Sequence, residues 1–276
     1  MDISAKMKLN NKVEMPMLGL GVFKSSQGYQ TSNAVKWALE AGYRHIDTAA
    51  IYGNEDSVAE GIRESKVLRK DIFITTKLWN EDMRNDNQLK AFERSLLHLG
   101  TDYIDLYLIH WPVQGKIKES WKVLEKLYEE KRVRAIGVSN FQKYHLEKLF
   151  AKANIIPAVN QVECHPKLNQ QELYDFCRGY DIALESWSPL GGSHGDLLDN
   201  QVLKQIALNH DKSVAQVIIR WNLQRNIIVI PKSVHKERII ENAEVYDFAL
   251  TQEEMDIILG INENRRFGAD PDKFDF

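Results

Sequence analysis

Short apolar runs alternate along the chain with longer segments in which hydrophobic residues recur every three or four positions. Most successive runs begin roughly 25–35 residues apart, about the length of one strand–helix–strand unit. We predict eight buried strands from these runs: Met17–Gly21, Arg44–Asp47, Ile72–Lys77, Ile104–His110, Val133–Ser139, Ala158–Gln161, Ile182–Trp187 and Ile227–Pro231. The longer segments are predicted helices, each with one apolar face. Three such faces are Ala34, Val35, Ala38 and Leu39; Leu89, Phe92, Leu96 and Leu99; and Trp121, Leu124 and Tyr128.

Before the first run, short alternating stretches flank Asn10 and Asn11. Asparagine tolerates the positive φ of a tight turn, so Met7–Met15 is predicted as a β-hairpin.

Eight strand–helix units with parallel connections are typical of a closed (β/α)8 TIM barrel, and this α/β architecture is our prediction. A doubly wound sheet is the alternative, but it carries a Gly-rich phosphate loop after its first strand. Here Gly19–Lys24 lacks the third glycine of that loop, so the barrel is favoured. No Ser/Gly-rich linker interrupts the chain, and we expect one domain over residues 1–276.

The C-terminal third departs from the regular alternation. The long interval before the last run carries two helical patterns, around Asn200–His210 and Ser213–Leu223, so one helix is extra. The polar tail after Asn262 could fold over one end of the barrel or hang free. It contains scattered phenylalanines, namely Phe267, Phe274 and Phe276.

Composition narrows the range of functions. The chain has 276 residues, 43% hydrophobic and 27% charged, which is ordinary globular usage. The formal net charge of −3 shows no excess of positive charge of the kind that indicates nucleic-acid binding. No run of about 18 apolar residues and no apolar N-terminal region occurs, so neither a membrane span nor a signal peptide is expected. The two cysteines, Cys164 and Cys177, make a disulfide framework implausible and indicate a reducing cytoplasm.

Polar residues stand at the predicted strand ends, where the chemistry of such barrels is located. Taken alone, each would be explained as a cap, a solvated charge or a satisfied core group. Together with Tyr52, which follows Asp47 by five residues, they include a set that can handle protons. The strand-end residues are Asp47, Lys77, His110, Ser139, Asn140, Gln161 and Ser188, with Lys232 and Ser233 just beyond the last strand.

This set indicates how a proton could be delivered. A tyrosine hydroxyl has an ordinary pKa near 10, but it donates its proton best at neutral pH when its pKa is nearer 7. Lowering the pKa by that amount requires about 4 kcal/mol of stabilisation of the phenolate. A cation at about 4 Å supplies roughly that much, so we expect Lys77 to lower the pKa of Tyr52. Asp47 would hold Lys77 charged and in place. His110 would hydrogen-bond and orient a substrate carbonyl.

Electrons must then come from another source, because the set contains no obvious nucleophile. We expect no metal: Glu163, Cys164 and His165 are the nearest approach to a ligand cluster and are interpreted as ordinary loop sequence. A hydride carrier is the natural partner. Lys232, Ser233 and Arg238 lie between the last strand and the following helix, the usual phosphate site of such barrels. Trp187 either presents a flat face to an aromatic ring of a ligand or simply packs in the core.

At these residues the whole chain resembles the aldo-keto reductase superfamily. The motifs that carry the resemblance are Gly42–Ala49 with Tyr52, Asn54 and Glu55; Lys77–Trp79; Asp105–Pro112; Gly137–Phe141; Asn160–Gln161; and Ile230–Ser233 with Arg238, Glu241 and Asn242. The resemblance implies a metal-free, NADPH-dependent reductase in which Tyr52 is the general acid, Asp47 and Lys77 support it, and His110 orients the carbonyl.

The same resemblance implies the cofactor contacts. Ser139, Asn140 and Gln161 would hold the carboxamide of the nicotinamide, and Trp187 would stack on its ring, where many members have tyrosine. Ser188, Pro189 and Leu190 would line the pyrophosphate path. Lys232, Ser233 and Arg238 would grip the 2′-phosphate, with Glu241 and Asn242 near the adenine. The remaining expected cofactor contacts are Gly21, Val22, Asp47 and Val234.

Within the family, the chain looks most like bacterial glyoxal/methylglyoxal and 2,5-diketo-D-gluconate reductases. The short stretches after His110 and Leu190 predict an open pocket with loose specificity, lined by Phe23, Trp79, His110 and Trp111. The expected activity is reduction of aldehydes and ketones, such as small dicarbonyls and keto sugars, by a cytoplasmic monomer. Two alternatives remain: a barrel retained as a binding or structural protein, and a metal-dependent hydrolase.

Overall fold

A closed ring of eight parallel strands forms the centre of the computed structural model, which describes residues 2–192 and 196–273. Each strand pairs with the next one along the chain. The strands are β3 (Leu20–Gly21), β4 (His45–Asp47), β5 (Phe73–Leu78), β6 (Ile104–Ile109), β7 (Val133–Ser139), β8 (Val159–Glu163), β9 (Ala183–Trp187) and β10 (Ile228–Val229). A parallel bridge between Leu18 and Val229 joins the first and last strands. The predicted (β/α)8 barrel is therefore confirmed.

Helices follow the strands and cover the outside of the barrel. They are α1 (Tyr29–Glu40), α2 (Glu55–Ser65), α3 (Asn80–Arg84), α4 (Gln88–Leu99), α5 (Ile117–Glu129), α6 (Lys143–Phe150), α7 (Gln171–Gly179), α8 (Gln201–Asn209), α9 (Val214–Gln224), α10 (Lys236–Ala243) and α11 (Gln252–Leu259). Both helices predicted between β9 and β10 are present. None of the helices in the described part of the chain has the length and apolar character needed to cross a membrane.

One residue of the predicted apolar faces lies outside. Leu89, in the first turn of α4, is 48% exposed, whereas Phe92, Leu96 and Leu99 are buried. The buried face of α4 also includes Gln88 and Ser95. The buried face of α4 is therefore centred away from Leu89, and Leu89 lies at the edge of that face.

The N-terminal hairpin consists of β1 (Lys6–Lys8) and β2 (Glu14–Pro16), as predicted. The positive φ of its turn falls on Lys12, at 70°, and not on an asparagine. Asn10 and Asn11 instead donate side-chain hydrogen bonds to the carbonyls of Pro157 and Arg134. These carbonyls lie just before β8 and at the start of β7, so the hairpin covers the N-terminal end of the barrel.

The barrel interior has an apolar lower layer and a polar upper layer. Side chains two residues apart on a strand share a face, so the layers alternate along each strand. On β9, Ala183 packs against the lower cluster around Leu106 and Leu108, and Glu185 lies one layer higher. The polar layer consists of the buried residues His45, Asp47, Lys77, Gln161 and Glu185. The strands thus build a polar centre above an apolar plug.

Gly137 allows the close approach of β7 to its neighbours. A Cβ at Gly137 would lie 2.6 Å from the carbonyl oxygen of Val159 and 2.7 Å from a methyl carbon of Leu108. Because strands in a closed barrel cannot separate freely, we expect Gly137→Ala to lower the free energy of unfolding by about 1–3 kcal/mol. Urea denaturation measures this change.

Gly179→Ala is the matched control. No heavy atom lies within 4 Å of the Cβ that this substitution adds at the end of α7. Its stability should be unchanged or higher by up to about 1 kcal/mol. Equal stabilities of the two variants would contradict the close packing at Gly137.

Candidate active site

The residues predicted at the strand ends do meet at one rim of the barrel. Asp47, Lys77, Ser139 and Gln161 lie at or near the C-terminal ends of β4, β5, β7 and β8, and His110 directly follows β6. Parallel pairing keeps these ends level, as in the register that aligns Ser139 with Gln161. Asp47 and Gln161 are 114 residues apart in the sequence, yet their side chains are hydrogen-bonded to each other.

Lys77 and Asp47 form a buried ion pair at the centre of the rim. The ammonium of Lys77 donates to both carboxylate oxygens of Asp47, at 2.7 and 2.8 Å, and to the carbonyl of Thr48, at 2.8 Å. Burial alone would lower the pKa of Lys77, but the charge and hydrogen bond of Asp47, together with smaller contributions from neighbouring acidic groups, outweigh burial and raise this pKa. Lys77 therefore stays charged in a site without solvent.

Tyr52 ends a short 3₁₀ turn, Ala50–Tyr52, in the loop after β4. The Lys77 ammonium lies 5.2 Å from the centroid of its ring. The expected lowering of the Tyr52 pKa is wrong for this structure. Burial raises the pKa of Tyr52 to about 12, because it outweighs the lowering by Lys77, and the charge of Asp47 raises it further. The phenol is therefore firmly protonated at neutral pH.

The loop that carries Tyr52 is braced by buried polar contacts. The hydroxyl of Thr48 donates to the side-chain oxygen of Asn54, and the amide of Asn54 donates to the carbonyls of Val22 and Ser25. These bonds tie the Tyr52 loop to the segment after β3. The family motif includes Asn54, but its spacing in the sequence gives no sign of this bracing role.

His110 is a neutral imidazole in this site. Burial lowers its pKa well below the ordinary value, and the nearby charge of Lys77 lowers it further. Its ring lies 5.7 Å from that of Tyr52 and 5.2 Å from that of Trp79, between centroids. The amide of Asn140 donates to its backbone carbonyl, at 3.0 Å, which fixes the loop after β6.

Ser139, Asn140 and Gln161 form a continuous hydrogen-bonded group. The Ser139 hydroxyl donates to the backbone carbonyl of Gln161 and accepts from the Asn140 amide. Asn140 has a φ of 65°, a left-handed conformation that asparagine tolerates. The indole N–H of Trp187 donates to the side-chain oxygen of Asn140, at 2.9 Å. Trp187 is therefore held through its indole N–H and is half-buried.

The C-terminal tail packs against the back of this group. The buried carboxylate of Glu163 accepts the backbone N–H groups of Phe267 and Gly268, and it also lies 3.1 Å from the ring of His165. A Cβ at Gly268 would lie 2.3 Å from the indole of Trp187. The tail thus folds over the barrel at the end of β8, one of the two options left open by the sequence. Phe274 and Phe276 lie outside the described residues.

These contacts explain the Glu163–Cys164–His165 triplet. Glu163 and His165 are engaged with each other and with the tail. Among residues 2–192 and 196–273, no group of three or more histidine, cysteine, aspartate and glutamate side chains could hold a metal ion. The anchoring role of Glu163 could not be inferred from sequence, because its partners are backbone N–H groups about a hundred positions away.

Lys232 and Ser233 lie in the segment between β10 and α10, whereas Arg238, which was expected before the helix, lies in the first turn of α10. Lys232 and Arg238 are exposed, and Ser233 is buried with its hydroxyl accepting from the backbone of His235. Partial burial lowers the pKa of Lys232. Among the described residues neither cation has a hydrogen-bonding or ionic partner. Val234 and Glu241 are half-buried, and Asn242 is buried.

This basic segment is joined to the centre of the rim. The backbone N–H of Gly21 donates to the carbonyl of Pro231, and that of Val22 donates to the carbonyl of Asp47. Gly21 and Val22 therefore link the basic segment to the C-terminal end of β4. Ser188, with a φ of 51°, begins the loop after β9, and Pro189 and Leu190 follow it.

The four predicted substrate contacts form an aromatic wall beside Tyr52. Phe23 lies 5.0 Å from Tyr52 between ring centroids and is 53% exposed. Trp79 contacts His110, whose ring is in turn stacked on Trp111 at 6.4 Å. The geometry can bind a small polar group against Tyr52 and His110, with apolar surface around it.

Comparison with known proteins matches this architecture. The model described as the aldo/keto reductase family matches residues 17–263. The glyoxal reductase of Bacillus subtilis (strain 168) is 56% identical over 269 residues, 98% of this chain and 97% of that protein. An aldo-keto reductase from a Medee basin deep-sea metagenome library has a TM-score of 0.95 and 48% identity, covering 98% of this chain and 100% of its own. A Bombyx mori aldo-keto reductase, solved in complex with NADP, has a TM-score of 0.91 and 37% identity, covering 98% and 96%.

The buried ion pair leads to a stability prediction. Lys77→Met removes the ammonium and leaves the Asp47 carboxylate buried without a cation. We expect the free energy of unfolding to fall by about 3–5 kcal/mol, measured by thermal or urea denaturation.

Lys6→Met is the control, because Lys6 pairs with Glu14 on the surface of the hairpin at 3.4 Å. An exposed pair of this kind contributes less than about 1 kcal/mol. A Lys77→Met variant as stable as Lys6→Met would show that Asp47 takes up a proton at little cost.

Proposed function

Because the chain belongs to the aldo/keto reductase family, and is therefore an oxidoreductase, we propose that it reduces aldehydes and ketones to alcohols with NADPH. The proposed substrates are small dicarbonyls, such as methylglyoxal, and keto sugars. The observation that carries the proposal is the convergence of Tyr52, the Lys77–Asp47 pair and a neutral His110 beside an aromatic wall. This is a site for adding a proton to a carbonyl oxygen.

Tyr52 is the proposed proton donor. With a pKa of about 12, its phenol keeps its proton until a strong base forms beside it. A carbonyl oxygen becomes such a base, an alkoxide, when the carbonyl carbon gains a hydride. When bound, NADPH supplies that hydride. Lys77 then stabilises the phenolate left behind, because its ammonium is held charged by Asp47.

His110 is the proposed orienting group. A neutral imidazole can donate one N–H to the carbonyl oxygen and cannot compete with Tyr52 as an acid, since its charged form is disfavoured. The aromatic wall of Phe23, Trp79 and Trp111 excludes water from the apolar side of the substrate. The partly exposed ring of Phe23 favours an open pocket, which supports loose specificity for small carbonyl compounds.

The residues at the ends of β7 and β8 fit a nicotinamide. Ser139 and Asn140 retain oxygen lone pairs, and both N–H groups of the Gln161 amide are already used inside the barrel. Such a set offers mainly acceptors, which suit the NH2 group of a carboxamide. Trp187 would supply the stacking face, with Asn140 and the tail holding its edge.

The basic segment fits the phosphate that distinguishes NADPH from NADH. Lys232 and Arg238 offer charge, and Arg238 offers paired N–H donors, beside the Ser233 hydroxyl. We assign the pyrophosphate to Ser188, Pro189 and Leu190. The remaining proposed cofactor contacts are Gly21, Val22, Val234, Glu241 and Asn242.

We also propose that the chain acts as a monomer, as a single domain over residues 1–276, and in the cytoplasm. Every residue assigned above comes from one chain, which supports activity without a partner subunit. Cys164 and Cys177 are buried free thiols, which fits a reducing compartment.

Tyr52→Phe tests the proposed chemistry. We expect the wild type to consume NADPH with several members of a panel of methylglyoxal, simple aldehydes and diketo-gluconate. The variant should lose at least about a thousandfold in kcat, because the phenylalanine ring has no proton to donate. NADPH affinity, followed by quenching of tryptophan fluorescence, should change by less than about threefold.

Two outcomes would contradict the proposal. Retained turnover in Tyr52→Phe would exclude Tyr52 as the acid. A wild type that binds NADPH but reduces no member of the panel would favour the binding-protein alternative.

Lys232→Ala and Arg238→Ala test cofactor choice. Each should weaken NADPH binding by about 10–100-fold, since each removes a charge-assisted contact, and should change NADH binding little. Lys70→Ala is the control, because Lys70 is an exposed lysine before β5, at the opposite end of the barrel. Equal losses for NADPH and NADH would remove the assignment of these residues to the 2′-phosphate.

A further inference from the structure

Glu185 is a buried carboxyl group for which the sequence suggested no role. It lies on β9 inside the barrel and is fully buried. Its Oε2 accepts a hydrogen bond from the Gln161 amide, at 2.9 Å. Its Oε1 has no hydrogen-bond partner among the described residues. The ring Nε2 of His45 lies 3.7 Å from that oxygen, too far for a hydrogen bond.

Gln161 is held from two sides by acids. Its Nε2 donates to Oδ2 of Asp47, at 2.7 Å, and to Oε2 of Glu185, at 2.9 Å. An amide nitrogen carries two hydrogens, so both are used inside the barrel. No described residue donates to Oε1 of Gln161. The two acids therefore set the rotation of this amide and leave its oxygen without a partner among the described residues.

The charges around Glu185 do not provide it with a cation of its own. Strand β4 contributes Asp47 and His45, β5 contributes Lys77, β8 contributes the neutral Gln161, and β10 contributes the apolar Ile228 opposite Glu185. Lys77 already donates to both oxygens of Asp47. Burial lowers the pKa of His45 to about 3, so His45 is neutral. Two buried carboxyls share one ammonium, and the second is stable only with its proton.

We propose that Glu185, as a neutral carboxylic acid, is a positioning residue that takes the second hydrogen of the Gln161 amide and so turns its oxygen to the nicotinamide carboxamide. The proposal rests on the proposed function, because it assigns the ligand of Gln161. Glu185 does not touch the reacting atoms. It acts through Gln161, and through the bond from Gln161 to Asp47. Burial, with the charge of Asp47, raises the pKa of Glu185 to about 8, in agreement with a protonated group at neutral pH.

A binding experiment separates this role from a general structural one. Dissociation constants are measured by calorimetry for NADP+, for its 3-acetylpyridine analogue, and for 2′-phospho-ADP-ribose. The acetyl group has no N–H to donate, and the third compound has no nicotinamide ring. For the wild type we expect NADP+ to bind about tenfold more tightly than the acetylpyridine analogue, because one hydrogen bond is lost.

Glu185→Leu should reduce this tenfold preference to less than about threefold, since the second N–H of Gln161 loses its acceptor and the amide can rotate. Glu185→Gln keeps an acceptor oxygen and should keep the preference at neutral pH. Binding of 2′-phospho-ADP-ribose should be unchanged in both variants. Glu125→Gln is the control for a buried glutamate outside the barrel interior; Glu125, on α5, accepts from the backbone N–H groups of Asn154 and Ile155 and from the side-chain amide of Asn154.

The outcomes are distinct. A full preference in Glu185→Leu would overturn the positioning role while leaving the proposed function intact. A wild type that binds neither NADP+ nor 2′-phospho-ADP-ribose would overturn the proposed function itself.

A stability measurement remains informative if Glu185→Leu fails to fold. In the unfolded chain a glutamate loses its proton near pH 4.3, whereas the folded-state pKa of Glu185 is raised to about 8. The stabilisation is therefore complete below the unfolded pKa and is lost as the pH rises to the folded pKa. The Tm of Glu185→Gln minus that of the wild type should rise from pH 5 to pH 8 and then level off. A difference that is flat over this range would exclude the neutral acid.

Discussion

Burying the ammonium of Lys77 inside the closed ring of strands is the constraint on which the candidate active site depends. A charge without solvent needs a counter-charge and further hydrogen-bond acceptors. Asp47 provides the first through both of its oxygens, and the carbonyl of Thr48 provides another acceptor. Parallel strands with alternate inward side chains make this possible, since they bring β4 and β5 into register beside one another. The apolar layer below this pair includes Leu9 and Met15 from the hairpin.

The same exclusion of water determines the protonation states of the groups around the pair. It raises the pKa of Tyr52 and of Glu185, and it lowers that of His110 and of His45. Each of these groups is therefore in its neutral form, and the ion pair carries the only opposed charges among them. A neutral phenol beside a fixed ammonium is a proton donor that reacts only when a strong base appears. The reduction of a carbonyl requires a donor of this kind, which keeps its proton until such a base has formed.

The rim beyond this centre is built from loops that the strands hold in place. Asn140 connects three of them, because its amide donates to the His110 loop and to Ser139, while its oxygen accepts from Trp187. The C-terminal tail, tied to Glu163, packs against the indole of Trp187. Trp187, the His110 loop and Ser139 are thus linked through Asn140 into one connected unit, so a change in one of them alters the contacts of the others.

The sequence by itself determined the architecture and the residue types of the site. Eight apolar runs at regular spacing predict the eight strands, because burial on both faces of a parallel strand requires apolar residues. The motif residues Asp47, Tyr52, Lys77 and His110 are part of the pattern that identifies the family. The tertiary structure alone decided which side chains face one another. The bond from Gln161 to Glu185, the anchoring of Phe267 and Gly268 by Glu163, and the raised pKa of Tyr52 all depend on contacts between distant residues and on the loss of solvent. The turn conformation at Lys12 and the exposure of Leu89 also depend on packing against the rest of the barrel. The local sequence pattern shows which residues are apolar. Only the folded barrel determines which hydrogen-bonding or ionic partner replaces water at each buried polar group.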